Sequence, residues 1–536
     1  MNAPPKKLQV WLPLLFGITM ALGIWLGYQL LDASNKPGAP VSRARSGSLQ
    51  ELMDLIQYKY VDSLSLDSLQ QTGIEAIVGK LDPHTTYIPA TQLSDVNADI
   101  QGSFSGIGVE YQIIQDTMTV VYVLEKGPSE EAGLQAGDQL VSVEGQVIAG
   151  KGLGGNELRK LLRGANRSKV NVGVLRQGKP FTFTITRGNV PLPSLDAAYM
   201  AAPQTGYIRL NKFSETTYRE FMDAATRLEK EGMKKLIMDL RGNGGGLLEA
   251  ATYIADELLE DGLLIVSTKG ANVRNRETRS TKPGIFEKGE LVVLIDEFSA
   301  SASEVLAGAI QDNDRGTIVG RRSFGKGLVQ EQFTLSNGAA IRLTVARYFT
   351  PTGRSIQKPF NGNRADYRHE ILDRMQPNDS TRPATDSSHI KVFTTRAGKK
   401  VYEGGGITPD VVVAPDSITT PRGAWGLYNQ NLLAAYSFKL YRQEQPVIRK
   451  FAQASQYAEQ YKMPANAFSG LVNQAKADSI AVEGNLAAAI QPLETRLKAL
   501  MARYVWRNDG YYQVLNRQDP VVLKSLEILS TKPGKN

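Results

Sequence analysis

Three blocks decide the reading of this chain: Leu291-Val292-Val293-Leu294-Ile295, Ser299-Ala300-Ser301-Ala302-Ser303-Glu304, and Ser323-Phe324-Gly325-Lys326-Gly327-Leu328-Val329-Gln330. The first is a short β-branched apolar run, the pattern of a buried strand. A small-residue turn follows, then Val305 to Ile310 with helical texture, and Thr317 to Gly320 is a second strand-like run. A hydroxyl where a buried strand turns sharply into a helix is held out of the fold. The first helical N–H groups then point at whatever it attacks. The bland reading is a helix cap, the commonest role of a serine in that place. A phosphate loop would need GxxxxGK followed by Ser or Thr, and Gly327 stands there instead.

A hydroxyl attacks only when a base takes its proton. The chain has three histidines, His84, His369 and His389, all in polar or turn-like contexts, which makes a histidine base unpromising. A desolvated lysine, partly neutral, can serve. Gly325 and Gly327 permit close backbone approach around Lys326, and Phe324 and Leu328 can exclude water.

The serine and lysine blocks resemble the two signature blocks of the carboxy-terminal processing proteases, tail-specific serine peptidases with a Ser–Lys dyad and a PDZ domain. The resemblance implies Ser301 as nucleophile, Lys326 as general base, and Gln330, one helical turn beyond, as the residue that holds the lysine. It places one oxyanion-hole N–H on Ala302 and the other in the loop Arg241-Gly242-Asn243-Gly244-Gly245-Gly246, on Gly245 or Gly246. Glycine suits that position because the backbone itself must approach the developing charge. Asp239 and Arg241 read as loop-fixing residues. The route implied is acyl transfer through an acyl-enzyme, with no metal or organic cofactor.

Composition narrows the field further. With no cysteine, the 536-residue chain has no disulfide, thiol chemistry or thiolate zinc site, and it has no HExxH arrangement. Its net charge of +8 is spread over mixed signs without a basic, aromatic-rich stripe, so nucleic acid is a poor partner. Leu8 to Leu31 carries no charge, follows Lys6 and Lys7, and has Trp11, Trp25 and Tyr28 towards its ends. It reads as a transmembrane anchor, with a cleaved signal peptide as the rival. The expectation is a single-pass protein of a bacterial inner membrane with its catalytic part in the periplasm. Lys36 to Ser48 reads as a tether.

From Leu49 to Leu81 apolar residues recur at helical spacing, broken near Asp62-Ser63. The segment Leu81 to Ile88 resembles the one preceding the PDZ domain in the processing proteases; its own reading is a turn. From Phe104 to Arg187 short strands and glycines resemble that PDZ domain, with Gly106, Ile107, Gly108 and Val109 as the wall of a peptide groove and Leu158 to Arg163 as the helix opposite. Pro351 to Gln357 and Gly404 to Val412 resemble further family blocks, whereas Asn361 to His389 reads as a polar surface excursion. Trp425 to Arg442, Ala465 to Ala489 and Leu493 to Arg507 are helical in texture, with Gly484 and Pro492 as delimiters.

The expected fold is an α/β mosaic: a mixed-sheet protease core, an inserted PDZ-like domain, an N-terminal helical segment and a C-terminal helical extension. The expected blocks are residues 1–7 cytoplasmic, 8–31 anchor, 32–48 linker, 49–100 helical, 101–188 PDZ-like, 189–413 protease and 414–536 extension. The expected function is endoproteolysis of exported proteins near flexible carboxyl termini, with protein or peptide tails as partners and a homo-oligomer or an adaptor protein allowed. A catalytically silent PDZ scaffold is the alternative. A penicillin-binding Ser–Lys hydrolase needs Ser-x-x-Lys, and Glu304 stands where its lysine belongs.

Overall fold

A computed structural model describes residues 17–25, 47–374, 391–414 and 424–531, in two units divided between Ile77 and Val78. Helices Ser48–Lys59 and Leu66–Gly79, the latter ending just past the division, flank the break expected near Asp62. The described part of the expected anchor is helical over residues 17–25. Among the described residues no helix is long and apolar enough to cross a membrane. Nine helical residues rise about 14 Å, under half of a ~30 Å hydrocarbon core. The transmembrane helix, the membrane as partner and the single-pass inner-membrane and periplasmic placement that rested on it are therefore corrected. Residues 1–16 and 26–46, which carry the rest of that expectation and most of the tether, lie outside the described residues.

The second unit is built on a mixed six-stranded sheet. Leu195–Ala202 and Thr205–Leu210 pair antiparallel, and Lys235–Asp239, Glu290–Ile295, Thr317–Gly320 and Val411–Val412 continue the sheet in parallel. Strands covered on both faces are apolar throughout, and Leu236, Ile237, Met238 and Leu291 to Ile295 are all buried. Met238, Val293 and Ile295 pack against helices Thr217–Lys230, Leu248–Leu258 and Ala302–Asp312. Ile237, Val292 and Leu294 face the other way and pack with Val521, Val522 and Leu529 of helix Pro520–Ser530. Three neighbouring parallel strands end at Asp239, Ile295 and Gly320, so the glycine loop, the serine turn and the lysine loop leave the same edge of the sheet. Open α/β sheets bind their ligands there.

A second sheet sits across this edge. It pairs Leu328–Thr334 with Ala340–Phe349, which also pairs with Thr86–Ile88 and Leu264–Lys269. The 104–187 region forms its own antiparallel sheet, with Val109–Ile114 as an edge strand and a core shared with helix Gly155–Leu162.

Two readings of local texture need correction. Arg364–Arg374, inside the supposed polar excursion, is a helix that reaches the lysine loop; residues 375–390, including His389, lie outside the described residues. Pro492 delimits nothing, because it sits early in helix Leu486–Leu515, whose break falls at Trp506 and Arg507. The proline lies past the first turn and so forfeits one internal N–H bond, yet the helix continues through it.

Candidate active site

The serine turn has a strained backbone. Ser301 adopts φ 56°, ψ −114°, outside the conformations that L-residues prefer, at the entry to helix Ala302–Asp312. Its two neighbours of the same type are spent on structure. The buried Ser299 hydroxyl donates to Leu240 O at 2.9 Å, and that of Ser303 to Asn243 O at 2.9 Å. Ser301 alone of the three is only partly buried, and its hydroxyl bonds to neither Lys326 nor Gln330.

The fully buried carboxylate of Glu304 joins the serine turn to the lysine loop. Its Oε2 accepts Ser301 N–H at 2.8 Å and Lys326 N–H at 2.9 Å; its Oε1 accepts Gly325 N–H at 2.7 Å and the Ser323 hydroxyl. Burial pushes its carboxyl up to about 7 against these four donors. Tyr348 closes the other side, with its hydroxyl 3.0 Å from Ser301 O and 2.5 Å from Lys326 O. Phe324 N–H donates to Ser299 O at 3.0 Å, adding a direct tie.

Lys326 Nζ donates to Gln330 Oε1 at 2.8 Å. Gln330 lies on the Leu328–Thr334 strand, so the four-residue spacing is not a helical turn. An irregularity in register between Val329 and Gln330 turns the amide back to the lysine. The other end of that amide donates to His84 O. Burial, then the nearby Arg342 charge, holds Lys326 below the usual lysine range. His84 is held in its turn by Asp82, whose Oδ1 accepts His84 N–H at 2.9 Å. Burial and the Lys326 charge depress its imidazole to about 4, so it is neutral near pH 7. The turn reading of His84 stands, and its carbonyl adds a support to the site.

The glycine loop lies against the nucleophile. A Cβ at Gly245 (φ 96°) would meet Ala300 O at 2.7 Å, Ser301 Cβ at 2.8 Å and Ala302 N at 3.0 Å. Only glycine leaves that approach open. Gly245 N–H is committed to Asn243 Oδ1 at 2.9 Å, whereas Gly246 N–H and Ala302 N–H have no acceptor among the described residues. Asn243 O accepts Ala300 N–H at 3.0 Å, which stitches this loop to the serine turn. Asp239 and Arg241 are loop-fixing, as expected: Asp239 Oδ1 accepts Arg241 N–H at 2.9 Å, and its Oδ2 accepts Tyr207 Oη–H at 2.7 Å. Burial works against the Asp239 carboxylate, but Arg209 and Arg241 hold it well below the usual range.

Contacts missed by sequence reasoning are long-range. Glu304, Ser323 and Tyr348 each close a link across distant segments, and a glutamate three residues after a turn serine signals only a helix-capping box. Helix Arg364–Arg374 supplies the others. Arg374 donates to Ser323 O at 2.7 Å, while Lys358 donates to Tyr367 O at 2.8 Å and pairs with Glu370 at 3.0 Å. Among the described residues no cluster of His, Asp and Glu is arranged to hold a metal ion. In the PDZ-like sheet, Ile107 is buried, Gly108 has φ 73°, and Tyr111 Oη–H donates across to Gly155 O at 3.1 Å.

Strained serine, shielded lysine and glycine loop meet at one sheet edge, the layout of a serine peptidase. The sequence pattern of Peptidase family S41 matches residues 204–368, that of a PDZ domain residues 119–176, and that of a family of unknown function residues 426–508. The chain is 32% identical to a carboxy-terminal-processing protease of Bartonella bacilliformis over 64% of its own length and 78% of the relative's. It is 37% identical to a carboxyl-terminal-processing protease of Synechocystis over 54% of its length and 68% of the relative's. A probable CtpA-like serine protease of Staphylococcus aureus matches at 30% identity over 63% of this chain and 67% of that one. The chain belongs to the carboxy-terminal processing protease family. It is a serine endopeptidase with an associated PDZ domain.

Proposed function

We propose that the protein cleaves polypeptides near flexible carboxyl-terminal tails, with Ser301 as nucleophile, Lys326 as base and Gln330 as the group that orients the lysine. The observation that carries this is the pairing of Lys326 Nζ with a neutral amide in a shielded cleft. A neutral acceptor holds the amine while stabilising its charge less than a carboxylate would, so the free-base form stays accessible. In the reaction Ser301 Oγ attacks the scissile carbonyl as its proton passes to Lys326 Nζ. Lys326 then returns that proton to the departing amine. Water, activated by the same lysine, releases the acyl group from Ser301.

Two N–H groups are assigned to the developing oxyanion: Ala302, at the start of its helix, and Gly246. Gly245, whose own N–H is already bonded, serves as clearance beside Ser301. In the PDZ-like domain, spanning 101–188 ahead of a 189–413 protease core, a tail adds as a strand to the Val109–Ile114 edge. Its carboxylate is received at the Gly106-Ile107-Gly108-Val109 turn.

The test is a digest of an unstructured, apolar-tailed peptide by the purified full chain, read by mass spectrometry, with Ser301→Ala alongside. Cleavage near the tail that vanishes in the variant and slows when the tail is amidated is the expected result. Equal rates for free and amidated tails would remove the PDZ-like groove from substrate selection. Cleavage that survives in Ser301→Ala would remove the nucleophile.

A further inference from the structure

The loop assigned above to the oxyanion is fixed almost atom by atom. Arg209 donates to Arg241 O at 2.8 Å, Gly242 N–H to Asp296 Oδ1 at 2.9 Å, and the Asn243 amide to Leu210 O at 3.0 Å. All three partners come from neighbouring strands or their ends. The Arg241 side chain is the exception, because it is bracketed by two carboxylates, one on its own strand end and one from the C-terminal extension. Its Nε and Nη2 donate to Asp239 at 3.0 and 2.6 Å, while its Nη1 donates to Asp519 Oδ2 at 2.8 Å and Oδ1 at 3.1 Å.

Asp519 is itself rigidly placed. It is the N-cap of helix Pro520–Ser530, with Oδ1 accepting Val521 N–H at 2.9 Å and Val522 N–H at 3.1 Å. That helix is anchored by Val521, Val522 and Leu529, buried against the second face of the protease sheet. Arg209 is shared between Asp239, at 2.8 Å, and Asp196, at 3.4 Å, whereas Arg241 lies between Asp239, at 2.6 Å, and Asp519, at 2.8 Å. With the Arg241 side chain only 14% exposed, water cannot easily replace a lost partner.

We propose that Asp519, supplied by the C-terminal extension, is a positioning residue for the peptidase reaction: it clamps Arg241 and so sets the Arg241–Gly246 loop against Ser301. This rests on the assignment of that loop to the oxyanion. A protease core cut off before this helix lacks the acid that completes its own site. The extension then acts in catalysis at a distance from any bound tail.

Asp519→Asn separates the two duties of the side chain, since asparagine caps a helix as well as aspartate does but carries no charge. Val522→Ala is the counterpart, loosening the helix while leaving Asp519 in place. In the full chain, hydrogen–deuterium exchange of residues 240–248 should quicken in Asp519→Asn while residues 520–530 keep their protection. On the same peptide its kcat should fall about tenfold with KM unchanged, and Val522→Ala should not reproduce that fall. Unchanged exchange at 240–248 overturns the proposal. So does faster exchange with unchanged kcat, or an equal kcat loss in Val522→Ala. If the unsubstituted protein leaves the peptide uncut, the function reading fails and the exchange measurement alone decides whether the clamp exists.

Discussion

Two lysines meet at the same loop, Lys326 half-buried and Lys358 buried, and have opposite surroundings. Lys326 faces the neutral Gln330 amide at 2.8 Å. Lys358, whose side chain is 4% exposed, faces the Glu370 carboxylate at 3.0 Å and lies 4.4 Å and 4.0 Å from the ring centres of Phe324 and Tyr367. Burial lowers both, but Glu370 and the two ring faces stabilise the ammonium at Lys358 by direct contact, whereas at Lys326 the Glu304 and Asp82 charges act without a salt bridge to Nζ. Shielding alone therefore does not make a lysine into a base. A base needs shielding together with an acceptor that has no charge of its own.

The largest expected effect sharpens this contrast. Lys326→Arg keeps length and charge but cannot supply a neutral amine, because guanidinium stays protonated. Peptide turnover should fall to the level of Ser301→Ala at every pH, with folding intact by circular dichroism. Turnover near that of the native sequence would show that a cation, not a base, is what the site requires.

The next effect is a shift in pH dependence. If Lys326 is the base, as proposed, activity needs its neutral amine, so kcat/KM should rise with pH through a Lys326 ionisation that lies below the ordinary lysine range. Gln330→Glu places a carboxylate where the amide is, stabilises the ammonium, and should carry that rising limb up by about 1–3 pH units. Gln330→Ala should leave the limb near its place and lower the rate through lost orientation, at a cost of roughly 1–3 kcal/mol. A pH series that shows the same limb for Gln330→Glu and the native sequence would break the comparison, because charge at the acceptor would then be irrelevant.

How much of this was legible depended on range in the sequence. The buried strands announced themselves as apolar runs, and the turns after them as glycine and serine clusters, because both signals are local. Ser301, Lys326 and Gln330 are proposed on motif resemblance, and the spacing of the last two misleads. Four residues suggested a helical turn, and only the pairing with Ala340–Phe349 shows the irregular strand. Glu304 was passed over because its four contacts join segments about twenty residues apart in sequence, a distance no spacing rule spans. Asp519-Pro520 was a missed local signal: an acidic cap, a proline at the first helical position and a following apolar stripe together mark a helix start. The composition of Leu8 to Leu31 misled in the other direction, since apolar length permits a membrane span without making the described helix long enough for one.

The smallest effect tests the other member of the pair. In Lys358→Arg the planar guanidinium can still pair with Glu370 and lie over Phe324 and Tyr367, since arginine stacks on aromatic faces at least as well as lysine. What it loses is the fit of a single ammonium to Tyr367 O at 2.8 Å, a contact that helps carry the Arg364–Arg374 helix. Arg374 of that helix still holds Ser323 O at 2.7 Å, and Glu304 still holds Lys326 N–H at 2.9 Å, so the lysine loop keeps its own supports. Activity should therefore drop by less than about threefold, equivalent to under ~0.7 kcal/mol in the barrier, with the pH limb unmoved. The same arginine exchange should thus abolish function at one lysine and be nearly silent at the other. A Lys358→Arg variant as inactive as Lys326→Arg, with thermal unfolding unchanged, would place a second proton-handling amine in the cleft and end the distinction between base and strut.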